Sequence, residues 1–157
     1  MNAALPIDWF DAAELPPLAS DMSWTSLPPP EQLLLWSMRH MLVCWPSCAS
    51  VRCALHRAYG DEALGVEHLL RCLLTALSAY SSRTLKVGDP TCARLLADES
   101  AILFALRSAR VDPSAACEAL VALCGAPSAA RLLPLAASLA EVANCGQPSM
   151  KSTPAMQ

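Results

Sequence analysis

From Glu31 to about Ala143 the chain repeats Leu, Ala, Cys and Met at three- and four-residue spacings with few interruptions. That period lines up apolar side chains on one stripe of an α-helix. The two-residue period of a half-buried strand is absent over most of the stretch. The pattern predicts an all-α fold, a compact bundle of five to six helices over residues 31–146. An acidic tail rich in Pro and Trp, residues 1–30, precedes it, and residues 147–157 follow as a disordered tail. A chain of 157 residues fits one domain and can bury a core without metal or disulfide staples.

Local signals divide the stretch. The first helix is expected from Pro29 or Pro30, where a fixed φ suits the first turn, to about Val43. Leu34, Met38, Met41 and Leu42 lie on its inner side, widened by Leu35 and Trp36. The Trp45-Pro46 step stops it. The second helix is expected from an N-cap at Ser47 to Tyr59, with Gly60 closing it. The third runs to about Ser81 on Val66, Leu69, Leu70, Leu73, Leu77 and Tyr80. Residues Ser82 to Ala97 read as a connector. Its Thr84–Val87 segment alternates, but with no partner strand in view it is expected to be extended loop. Asp98 is the expected N-cap of the fourth helix. Asp112 with Pro113 opens the fifth, which ends at Gly125. Pro134 must kink or split the last, Ser128 to Asn144.

Charge narrows the function. Only 16% of residues are charged while 54% are hydrophobic, against about 25% charged in an average soluble domain. So few charges predict apolar surface left for a partner, either another protein or a second copy. A net charge of −3 argues against nucleic-acid binding, which needs clustered cations. Asp8, Asp11, Glu14 and Asp21 fall in the first 30 residues beside no Lys or Arg. Removing those four from the 14 acids leaves 10 against 11 bases, so the body is near +1. The acids alternate with apolar residues, so the tail reads as a docking segment, with Trp9, Phe10 and Trp24 as its partner-binding side chains. The alternative is a tail that lays its tryptophans on its own body. No transmembrane span or secretory leader is expected, which places the protein in the cytoplasm with reduced thiols.

Two arrangements could carry chemistry. His40 and Cys44, four apart, and Cys53 and His56, three apart, lie on either side of the expected corner, with Cys48 between them. Two thiolates and two imidazoles could hold a tetrahedral zinc. No C-x2-C pair supports that site, and packed cysteines with surface histidines are the alternative. Cys92, near Lys86 and Arg94, is the candidate reactive thiol, the alternative being an ordinary loop cysteine. Cys117 and Cys124 read as core filling. The chain lacks G-x-S-x-G, a P-loop, G-x-G-x-x-G, H-E-x-x-H and Glu-x-x-His, so no catalytic or cofactor-binding residue is assigned.

The opening at Leu34 to Arg39, the helix at His68 to Ser82, the Cys-bearing loop at Ser81 to Cys92 and the Ala-Asp-Glu start at Ala97 to Glu99 carry a likeness. Over Leu33 to Pro148 the chain resembles a family of small uncharacterised alphaproteobacterial proteins, a domain of unknown function. The resemblance implies a helical bacterial cytosolic protein and transfers no activity. The expected function is a non-enzymatic interaction or regulatory adaptor module. The alternative is a thiol- or metal-responsive regulator.

Overall fold

The structure, a computed structural model, describes residues 7–10 and 22–143. The fold is all-α. Among the described residues there are six α-helices: α1 (Pro29–Val43), α2 (Ala49–Tyr59), α3 (Ala63–Tyr80), α4 (Ala97–Ser108), α5 (Pro113–Cys124) and α6 (Leu133–Val142). Two short strands, β1 (Ile7–Phe10) and β2 (Leu85–Gly88), accompany them.

The helix ends follow local chemistry. Pro29 and Pro30 open α1, as the sequence predicts. Asp112 accepts the Ala115 amide at 3.0 Å to cap α5, and Gly125 ends it with φ of +64°, the left-handed region that glycine tolerates. Pro134 splits the last segment. A 3-10 stretch, Pro127–Leu132, precedes α6, and the proline sits in the first turn, where no intrahelical N–H is needed.

Two expected caps are corrected. Cys48, not Ser47, occupies the N-cap of α2. Leu96, not Asp98, occupies that of α4. Leucine has no side-chain acceptor, and Glu99 reaches back to that end, its Oε2 accepting the Leu96 amide at 2.8 Å.

The connector is also corrected. Leu85–Gly88 is a strand, not extended loop, and its partner lies in the N-terminal segment. β1 and β2 pair in parallel with Ile7 opposite Leu85 and Phe10 opposite Gly88. Residues 22–27 stay against the same connector. Ser23 bridges Arg94, and the Leu95 amide donates to the Met22 carbonyl at 3.1 Å. Leu27 is buried, so the body begins before residue 31.

One continuous apolar cluster joins every helix. α4 packs on α5, α2 on α3, and α3 on α6. Val51 and Leu55 of α2, and Val66, Leu70, Leu73, Leu74 and Leu77 of α3, are fully buried. The stripes therefore cover one another. Among the described residues the large hydrophobics left exposed are Met22, Val43, Leu64, Phe104 and Val111, each on a different helix or connecting segment. No described helix is long and apolar enough to cross a membrane.

Candidate functional site

Two ion pairs fix α1 against α4. Arg39 is 2% exposed and Glu99 is 0% exposed. Arg39 Nε donates to Glu99 Oε1 at 2.7 Å and Nη2 to Oε2 at 2.8 Å. Arg39 Nη1 also donates to the Cys92 carbonyl at 2.6 Å, and Nη2 to that of Arg94 at 2.7 Å. Each Glu99 oxygen takes one more donor, the Gly88 amide at 2.9 Å on Oε1 and the Leu96 amide on Oε2. Buried charges persist only when paired and hydrogen-bonded, and this pair meets both conditions while satisfying four backbone groups of the connector. Eight residues away on each helix, Arg107 donates to the buried Glu31 through Nε at 2.9 Å and Nη2 at 2.6 Å. The two pairs set α1 and α4 antiparallel. No periodic or motif signal in the sequence singles out Glu31, Arg39, Glu99 or Arg107 as ion-pair partners.

With that clamp in place, the accessible positions of α1 are Pro29, Pro30, Gln32, Leu33, Trp36, His40 and Val43. Glu31, Leu34, Leu35, Ser37, Met38, Arg39, Met41 and Leu42 are buried. Leu33, Trp36 and His40 are half-buried, and Val43 is 58% exposed. These four recur at i, i+3, i+7 and i+10, a straight ridge about 15 Å long at 1.5 Å per residue. Trp36 packs partly buried against the core, as the sequence predicts, and leaves its other side on this ridge. Its ring centroid is 4.0 Å from that of His40, whose Nδ1 meets the Trp36 carbonyl at 2.9 Å.

The predicted cluster is spread over the α1–α2 corner. His40 engages Trp36, while Cys53 and His56 stand exposed on α2. Cys44 is exposed at the end of α1, and hydrogen bonding to the Cys48 thiol, desolvation and repulsion from Cys48 all push its pKa up. Among the described residues no three His, Cys, Asp or Glu side chains gather as a metal site.

Cys92 is not the open loop thiol expected. It is 1% exposed, and its thiol lies 3.6 Å from the Arg94 carbonyl, beside the Arg39 guanidinium's own contacts. Of the predicted docking side chains, Trp24 packs partly buried against the core. The side chains of Trp9 and Phe10 lie outside the described residues, although their backbone forms β1.

On α3, Glu67 is buried between two arginines. Arg52 reaches it at 3.1 and 3.2 Å and Arg71 at 2.6 Å. The Arg52 hydrogen bond, opposed by burial and helped by both cationic charges, holds the Glu67 carboxyl below the usual carboxylate range. No family model, curated protein or solved structure matches the chain.

Proposed function

We propose that this protein is a non-enzymatic helical interaction module whose contact surface is the outer ridge of α1. The carrying observation is that Leu33, Trp36, His40 and Val43 fall on one ridge among the accessible positions of this largely buried helix, beside Gln32. A solvent-facing strip is ordinarily polar. The 3-4-3 spacing is that of a helix–helix seam, so the partner that fits is an amphipathic helix of another protein, with Trp36 as the anchor.

The test places a photo-crosslinking residue at Val43 in the full-length protein, in its native cells. The expected result is one adduct of defined mass, lost in a Trp36→Asp background and not formed from a crosslinker at Leu64. An adduct of twice the chain mass would make the partner a second copy. No adduct at Val43, or one that Trp36→Asp leaves unchanged, refutes the reading.

A further inference from the structure

The described cysteines differ in what surrounds them. Cys48, Cys92 and Cys124 are buried, whereas Cys44, Cys53, Cys72 and Cys117 are at least partly accessible. Of these accessible thiols, Cys72 is the one with an imidazole at hydrogen-bond distance. His68 Nε2 lies 3.5 Å from Cys72 Sγ, one turn back on α3. Side chains four residues apart on a helix stack on one face. The opposite stripe of α3, Leu70, Leu73, Leu74 and Leu77, is fully buried and fixes that face outward. His68 and Thr75 on it are exposed.

We propose that Cys72 is a modification site for low-molecular-weight disulfides, with His68 as the base that takes its proton. The nucleophile in such exchange is the thiolate, so a base within reach of the thiol sets the rate. His68 accepts the Cys72 proton at Nε2. The sulfur attacks one sulfur of R–S–S–R. The Cys72–S bond forms as the S–S bond breaks, and the departing R–S⁻ takes the proton back from the imidazolium. One disulfide and one thiol thus give one mixed disulfide and one R–SH, with no other oxidant. The site lies on α3, away from the α1 ridge, and stands or falls independently of the interaction proposed there.

The experiment incubates the reduced full-length protein with oxidised glutathione at neutral pH. Adducts at each cysteine are followed by peptide mass spectrometry. Cys72 is expected to acquire the glutathione adduct at least five-fold faster than Cys53 or Cys44. His68→Gln and His68→Ala should slow Cys72 at least five-fold with the other sites unchanged. Because His68 is exposed, both variants should keep the wild-type far-UV ellipticity. Added imidazole should restore the rate in His68→Ala, which a merely structural histidine would not allow. Labelling of Cys72 no faster than Cys53, or a rate untouched by either His68 variant, overturns the proposal.

Discussion

Glu99→Ala should be among the most damaging single substitutions in this chain. It strips the Arg39 guanidinium of its counter-ion where Arg39 is 2% exposed, and it orphans the Gly88 and Leu96 amides. Removing one partner of a buried pair costs about 3–5 kcal/mol, and each orphaned buried donor about 1–3. These penalties overlap where water follows the cavity, so about 4–5 kcal/mol is the working figure. Against a total stability of about 5–15 kcal/mol that approaches global unfolding. With a urea slope of about 2 kcal/mol per molar, the midpoint should fall by about 2 M.

The double variant Arg39→Met with Glu99→Leu sharpens the test. Apolar replacement of a buried ion pair is often neutral or stabilising. Here it should fail, because the amides of Gly88 and Leu96 and the carbonyls of Cys92 and Arg94 all lose their partners. At about 1 kcal/mol each, that is a loss of roughly 4 kcal/mol. Hydrogen exchange on the wild-type protein gives a readout that needs no variant to fold: the Gly88 and Leu96 amides should exchange only on near-global opening. A double variant as stable as wild type, or fast exchange at both amides, refutes the account of the clamp.

Other substitutions probe the same packing. Gly88→Ala should cost about 1–3 kcal/mol in urea melts, since its new methyl would meet Arg39 Nη2 and Cys92 Cβ, each at 3.1 Å. Ser37→Ala should raise stability by about 1 kcal/mol, because the buried Ser37 hydroxyl has no hydrogen-bond partner and alanine favours the helix. Glu67 makes stability depend on acid. Its folded pKa is depressed, so its contribution is fully present above the unfolded value of about 4.3 and is lost as pH falls through the folded one. Arg52→Gln should move the Glu67 carboxyl titration, read by NMR, upward and shift acid unfolding to higher pH; an unchanged titration would discount the Arg52 contact.

The helical class was legible because it rests on a local period, and the Pro113 start, the Gly125 end and the break before Pro134 rest on single-residue chemistry. What was not legible depended on contacts far apart in sequence. The alternation at Thr84–Val87 was visible, but its partner β1 lies more than 70 residues upstream, and no local signal announces a parallel pairing. Trp36 reads as a wider inner stripe and does pack partly buried against the core; what periodicity does not say is how many sides of a helix will be covered. α1 is enclosed on nearly all of them, which leaves the residues at one edge outside. The ion clamp did leave a trace. Glu31 and Arg39 are eight apart, as are Glu99 and Arg107, so antiparallel helices set each acid against the other helix's arginine. Reading that trace requires knowing that α1 and α4 are neighbours.

The clamp and the ridge bear on each other. Arg39 immediately precedes His40, and Glu31 lies two residues before Leu33, so the two ion pairs hold α1 near the middle and near the start of the same ridge. A helix fixed at two points along its length spends little conformational freedom when a partner settles on it, and pre-organisation of this kind raises affinity without adding a contact. The Glu31–Arg107 pair is the more accessible to experiment, because Arg107 is 48% exposed and its replacement leaves Arg39 and Glu99 intact. Arg107→Ala changes no residue of the ridge itself. If the ridge binds through a rigid α1, this remote change should lower crosslinking yield at Val43 at a temperature where far-UV ellipticity shows the variant still folded. If binding is indifferent to the clamp, the yield should stay at the wild-type level, and α1 would then be ordered by the partner and not in advance of it.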